Sequence, residues 1–310
     1  MKKYIVLLIS IFSILLFSGC RDDYHASEEF QTARYDIEEV SKISVKDICL
    51  KQNNSYFGPN VYIFDSEEKY VSVSASVDVI NKINVKKEAD ELNIYANKYT
   101  NYVTETVDIY VYGYTFKDLS FSNSKVNIKK DTLDNEYINI KLYGATRANI
   151  EEINCNELKA EISGASNATI NKLTLDKADI NISGASRFEV LNSTIRNLNM
   201  NLSGASNSSL NESIINDFHL YLSGASSLKG IGNIEYLDVI LSGASSLDLL
   251  DMQVITIDKA DISGASTMKV DFVNKMIANL SGASELDYRS ENGILDIEKS
   301  TSCIVNKLNN

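Results

Sequence analysis

Leu158-Lys159-Ala160-Glu161-Ile162-Ser163-Gly164-Ala165-Ser166-Asn167-Ala168-Thr169-Ile170 decides how this chain folds. Apolar side chains take every second position on both sides of a Ser-Gly-Ala-Ser tetrapeptide, which is the pattern of strands with one buried face. The tetrapeptide recurs at 183–186, 203–206, 223–226, 242–245, 263–266 and 281–284, and a variant, Tyr143-Gly144-Ala145-Thr146, precedes the series. Its glycines are Gly144, Gly164, Gly184, Gly204, Gly224, Gly243, Gly264 and Gly282, at steps of 20, 20, 20, 20, 19, 21 and 18 residues. Eight copies at a nearly fixed step make a solenoid.

The same alternation appears in Leu198, Met200 and Leu202, in Phe218, Leu220 and Leu222, and in Met276, Ala278 and Leu280, with Asn, Asp, Glu, Ser and Lys interleaved. Helix-period patterns are absent. The expected fold is therefore all-β: a right-handed parallel β-helix with about 20 residues per coil, preceded by a less regular β region. Stacked at the inter-strand spacing, eight coils make a rod on the order of 40 Å long. A propeller needs blades of roughly 40 residues, so it does not fit.

At each corner the backbone must pass close to the coils above and below. Glycine supplies positive φ or room, and alanine keeps the corner thin. The flanking serines suit local backbone hydrogen bonds and would stack as two hydroxyl columns, through Ser163, Ser183, Ser203 and Ser223 and through Ser166, Ser186, Ser206 and Ser226. Corner chemistry is the favoured reading of these columns; a polar ladder for a sugar or ice lattice is the rival. Phe121-Ser122-Asn123-Ser124 reads as a degraded corner with Ser122 in the glycine position.

The N-terminus carries an address. Lys2 and Lys3, an apolar run from Tyr4 to Phe17 and then Ser18-Gly19-Cys20 read as an export signal, too short to span a membrane. Leu16-Phe17-Ser18-Gly19-Cys20 resembles a lipobox, so residues 1–19 are the expected lipoprotein signal and Cys20 the lipidated first residue of the mature chain. Several acyl chains there, palmitate included, would anchor the protein stably. Arg21-Asp22-Asp23 follows, similar to a surface-export signal, and residues 20–34 are expected to form the lipidated cysteine and a tether. Loss of Lys2 and Lys3 takes the formal charge from -12 to -14. With no basic cluster on that background, a nucleic-acid partner is excluded. Cys49, Cys155 and Cys303 show neither disulfide nor metal spacing and are expected to be buried as small apolar groups.

The remaining boundaries are 35–142 for the irregular β region, continuous with the solenoid, 143–290 for the regular repeats and 291–310 for a last coil and cap. Thirteen of the 17 tyrosines lie between Tyr24 and Tyr143. Tyr110, Tyr112 and Tyr114 fall at i, i+2 and i+4, on the strand face opposite Ile109 and Val111. They form a candidate aromatic platform for sugar rings or a protein partner, or a face packed under a neighbouring loop.

Catalysis needs a constellation, and none is visible: no catalytic residue, metal ligand set or cofactor fingerprint can be assigned. His25 lies in the tether and His219 on an outward strand position. Leu175-Asp176-Lys177-Ala178-Asp179-Ile180 recurs nearly unchanged as Ile257-Asp258-Lys259-Ala260-Asp261-Ile262. The copies are four coils, about 19 Å, apart, too far to share one glycosidic bond, and read as repeat echoes on a solvated face.

Repeated Leu/Ile-Ser-Gly-Ala-Ser after a β-rich segment and behind a lipoprotein signal resembles the head GIN domain family, described as auto-transporter adhesins, over about residues 35 to 290. The resemblance implies a β-helical extracytoplasmic protein, commonly of Bacteroidota, with no established catalytic residues to carry over. This chain shows no autotransporter barrel. The expected function is a non-enzymatic, lipid-anchored cell-envelope protein, exported and held at the outer membrane. It would contact glycan or protein through stacked faces, with homo-oligomerisation through the solenoid ends as a further expectation. The alternatives are a glycan-active β-helix enzyme of lyase or hydrolase type and a structural envelope scaffold.

Overall fold

The computed structural model describes residues 3–6, 29–52, 55–96, 102–103, 106–129 and 131–309. Strand makes up 69% and helix 2%, so the protein is all-β, with a β-solenoid at about 20-residue spacing preceded by less regular strands. The chain divides into two compact units. The first ends at Asp134 and includes Ala145–Ala148; the second comprises Asn135–Gly144 and everything from Asn149 on.

In the first unit Asp108–Tyr112 lies between Asn60–Phe64, to which it is parallel, and Tyr70–Ser76, to which it is antiparallel. Lys125–Ile128 extends this row beside Asn60–Phe64, and Phe30–Tyr35 extends it beside Tyr70–Ser76. Lys3–Val6 then pairs antiparallel with Phe30–Tyr35. A second row runs Asp118–Ser122, Lys42–Lys46, Glu91–Ala96, Ile83–Glu88. Mixed directions explain why no fixed step appears in this part of the sequence. Alternation still sets the core: Val61, Ile63, Val71, Val73, Ile109 and Val111 are completely buried.

The expected tether is shorter than residue 34, because Phe30–Tyr35 is a strand whose Ala33 and Tyr35 are buried against the core. Cys20, His25 and Arg21-Asp22-Asp23 lie outside the described residues. At the degraded corner Asn123, not Ser122, takes the left-handed conformation, φ 52°. Asparagine tolerates that region, and its Oδ1 accepts from the Ala145 amide at 3.0 Å.

In the second unit the regular stack begins at Tyr137, inside the span expected to be irregular, since Tyr137–Tyr143 pairs parallel with the coil at 157–162. The inside-outside pattern of Asn167–Ile182 is an alternation interrupted twice by two successive exposed residues, Asn171-Lys172 and Asp176-Lys177. Two outward residues in a row mark a bend, so each coil has three short sides. The third bend is Ser-Gly-Ala-Ser. Register holds from coil to coil: Ala178, Leu198, Phe218, Leu237, Ile257 and Met276 form one buried file.

At the tetrapeptide the ladder continues around the bend. The Ser183 amide donates to the Ile162 carbonyl at 2.9 Å, Ala185 to Gly164 at 2.8 Å and Arg187 to Ser166 at 2.8 Å. The eight glycines have φ between 68° and 80°. They lie in single file: a Cβ on Gly184 would sit 2.4 Å from the Gly164 oxygen, and one on Gly204 2.7 Å from the Gly184 oxygen.

The serines divide, contrary to two equivalent columns. Ser166, Ser186, Ser206, Ser226, Ser245, Ser266 and Ser284 are buried, and their hydroxyls line the interior of the corner. Ser226 donates to the Leu202 carbonyl at 3.3 Å and Ser266 to the Ser263 carbonyl at 2.8 Å. That column cannot meet an external lattice. The first serines are half-buried through most of the stack, and Ser242 and Ser263 bond to carbonyls of the preceding coil.

The C-terminal span is a coil in register, Lys275 facing Ile294 and Glu285 facing Ile304. Its corner is Ser300-Thr301-Ser302-Cys303. The Ser302 hydroxyl donates to the Gly282 oxygen, an acceptor that an alanine amide satisfies in the regular corners. Cys303 occupies the inward-serine position beside the Ser284 and Ser300 hydroxyls, which lower its thiol pKa. Cys155 is buried, but Cys49 is exposed: it alternates outward between buried Ile48 and Leu50. All three are free thiols.

Candidate functional site

Two surfaces stand out from the polar background. The first contains Tyr110 and Tyr112. Strand pairing sets Tyr110 beside Tyr62, and Tyr112 between Phe64 and Tyr70. The rings stack at centroid distances of 5.1 Å, 5.2 Å and 4.6 Å, with planes within 14° to 21° of parallel. Spacing near the inter-strand distance means that the rings stand upright and cover one another's faces. Tyr112 has both faces occupied, and the Arg34 guanidinium covers Tyr70 at 3.9 Å. Arg34 is itself held by Asp36 and Glu68. The surface therefore shows ring edges and hydroxyls where a flat platform would show ring faces.

Tyr114 does not join this set. Gly113 turns at φ 75° after the strand ends at Tyr112, and the Tyr114 ring goes into the core. Its hydroxyl donates to the Ile37 carbonyl at 2.8 Å, and burial pushes its pKa up from 10.0 to about 12. A raised pKa on an acid stabilises the fold below the unfolded value, and that contribution is lost as pH rises from about 10 through about 12. Tyr114→Phe is expected to cost about 1 kcal/mol at neutral pH. Alkaline urea titrations should then show a shallower loss of stability between pH 10 and pH 12 than in the parent. An identical alkaline slope would place the titration elsewhere.

The second surface lies on the outer side of the solenoid at 217–261. Pairing sets Asp217, His219 and Tyr221 of one coil beside Tyr236, Asp238 and Ile240 of the next. Asn197, Asn199 and Asn201 adjoin the first row, and Thr256, Lys259 and Asp261 the second. The grid has steps of about 4.8 Å across coils and about 6.7 Å along them. His219 Nδ1 lies 3.3 Å from Asp238, and Lys259 pairs with Asp261 at 3.0 Å. Above it run amide links, Asn199 to Asp179 at 2.7 Å and Asn201 to Asn181 at 3.0 Å. Tyr221 and Tyr236 are 41% and 45% exposed, and neither ring stacks on another among the described residues.

Lys259 reaches this grid through a bulge. Register shifts between Leu237 and Asp238, so Lys259 enters the column of Asp179, His219 and Asp238, whereas Lys177 lies in that of Asp217 and Tyr236. The two Asp-Lys-Ala-Asp echoes thus occupy different columns, although each keeps its local pair, Lys177–Asp179 and Lys259–Asp261, at 3.0 Å. Tyr221 and Tyr236 were legible as large residues at outward strand positions where most other coils carry polar ones, Asn181 and Asn201 for Tyr221 and Lys177, Asn197 and Asp217 for Tyr236. Their grouping around His219 was not. Among the described residues no cluster of His, Cys, Asp and Glu is arranged to hold a metal ion.

A sequence model of the family described as "Putative auto-transporter adhesin, head GIN domain" matches residues 56–215, more than half of the chain. The chain belongs to the head GIN domain family. The matched span takes in the aromatic stack and the first solenoid coils and stops just before the grid. Among solved structures, this head GIN protein is similar to one described as a putative adhesin from Parabacteroides merdae, with 11% identity, coverage of 92% of this chain and 98% of that one, and a TM-score of 0.48. It is also similar to one described as a putative lipid binding protein from Parabacteroides distasonis, with 14% identity, the same coverage and the same TM-score. A second protein of that organism, described as a putative adhesin, matches at 13% identity over 91% of this chain and 98% of that one, with a TM-score of 0.45. Curated proteins yield no match.

Proposed function

We propose that this head GIN protein is a non-enzymatic binding module of the bacterial cell envelope. It is anchored by lipid at Cys20 and contacts glycan or protein through the outer side of its solenoid. The observation that carries the binding reading is the exposed, unstacked pair Tyr221 and Tyr236 on a flat, rigid sheet. A tyrosine side chain has only two χ angles, so it offers a large contact area for little rotamer entropy lost on association. The adhesin family supports the same reading, as does the Ser18-Gly19-Cys20 boundary behind a short apolar run. Under this reading Lys3–Val6 leaves with the signal, and Phe30 onward follows a short anchored segment.

Cys20→Ser, expressed in the native host, tests the anchor. The parent should fractionate with the outer membrane, incorporate labelled palmitate and be trimmed by protease on intact cells. The variant should lose the label and leave the membrane fraction. A parent protein that takes no label and stays soluble would overturn the anchor, and one protected on intact cells would overturn the outward-facing adhesive role.

A further inference from the structure

We propose that the grid formed by Asp217, His219, Tyr221, Tyr236, Asp238 and Ile240 is a saccharide-binding site that takes an uncharged glycan. This deepens the binding-module reading and rests on it. A pyranose offers two chemistries at once: adjacent hydroxyls that both donate and accept, and an apolar C–H face. The grid supplies complements to both within one rigid sheet.

The Asp238 carboxylate accepts from neighbouring hydroxyls, and His219 beside it offers ring nitrogens that donate or accept. Asp217, in the column of Tyr236, has no hydrogen-bond or ion-pair partner among the described residues, so its carboxylate is free to accept from a ligand. Tyr221 and Tyr236 stand at opposite corners, four strand residues and one coil apart, about 14 Å. The His219–Asp238 pair lies between them, so a short oligosaccharide laid across the diagonal meets a ring, a polar pair and a second ring. Ile240, 36% exposed, adds apolar surface beside Tyr221.

Charge selects among glycans. Asp217, Asp238 and Asp258 surround the grid; Lys259 is the nearest cation and is engaged by Asp261. The chain as a whole is at -12. Polyuronates and sulfated glycans would meet carboxylates without a free cation to pair them, so they are repelled. The upright aromatic stack of the first unit is less suited, since Tyr112 is sandwiched between Phe64 and Tyr70, and Tyr70 between Tyr112 and Arg34.

Affinity electrophoresis of the full chain tests the site in gels containing mannan, xyloglucan or mixed-linkage β-glucan, against polygalacturonate and heparin. Retardation is expected with at least one neutral polysaccharide and with neither anionic one. Tyr221→Ala and Tyr236→Ala should each weaken it about tenfold, and the double variant should migrate as in a blank gel. Asp238→Asn, which keeps shape and removes charge, should weaken it while leaving the far-ultraviolet spectrum and Tm unchanged. Failure of every neutral polysaccharide, equal retardation of the double variant or binding confined to anionic polymers would overturn the site. The binding-module reading is checked separately by adhesion of protein-coated beads to cells. Beads of the double variant that adhere like the parent's sink the saccharide site alone; parent beads that do not adhere sink the module reading. Adhesion abolished by protease treatment of the target cells but kept after deglycosylation would make the partner a protein and also overturn the saccharide site.

Discussion

Gly184→Val is expected to destabilise the protein by about 3 kcal/mol or more, with a fall in Tm of roughly 5–10 °C. Two costs add. The residue sits at φ 75°, in a region that costs an L-residue about 1–2 kcal/mol and a β-branched one more. The new Cβ would also lie 2.4 Å from the Gly164 carbonyl oxygen and 3.0 Å from its nitrogen. Both are backbone atoms of the neighbouring coil, so relief requires moving a rung whose amides are already spent on the ladder. Ala185→Val, one residue along and exposed, is the control and should change stability by less than about 0.5 kcal/mol. Equal urea midpoints for the two variants would show that the close approach of the glycine file is not what holds the corner.

Phe218→Ala should cost about 3–5 kcal/mol, the usual range for a fully buried aromatic ring whose site cannot collapse. The ring is completely buried in the file between Leu198 and Leu237, and both neighbours are fixed by ladder hydrogen bonds at the coil spacing. Since each coil contacts only its neighbours, the defect weakens two interfaces and should broaden the unfolding transition as well as shift it. Tyr221→Ala, three residues on but facing outward, should leave the urea midpoint almost unchanged. A similar loss for both residues would contradict the assignment of inside and outside on this strand.

The neighbouring coils show how the stack tolerates a variable sequence. Ser193 and Ser213 face inward where other coils place Leu173 and Met252; the Ser193 hydroxyl donates to that of Ser213 at 2.8 Å, which donates in turn to the Asn211 carbonyl at 3.1 Å. Gly230 leaves room that Met252 and Leu249 fill: a Cβ there would lie 2.5 Å from the Met252 sulfur. Volume is conserved over adjacent coils and not within each repeat.

Much of the fold was legible from Gly164, Gly184 and Gly204 and the alternation around them. A constant step forces equivalent residues into register, and period two assigns each to the inside or the outside. The same logic failed where the chain stops being regular. Tyr114 belongs by spacing with Tyr110 and Tyr112, yet Gly113 ends the strand and sends it inward. The two serines of each corner read as equivalent hydroxyl columns, but a three-sided coil turns the second into its interior. Cys49 alternates outward because Ile48 and Leu50 claim the core.

Sequence alone thus determined the coil length, the buried columns and the need for glycine at each Ser-Gly-Ala-Ser corner, because these follow from local periodicity and backbone sterics. Only the tertiary structure decided which outward side chains became neighbours. That the Tyr112 ring is sandwiched between Phe64 and Tyr70, or that a bulge after Leu237 carries Lys259 to Asp238, depends on pairing between distant segments. A side chain's lateral neighbours are set by register across strands, and a single extra residue in one coil changes that register while looking, in the sequence, like one more outward pair at a bend.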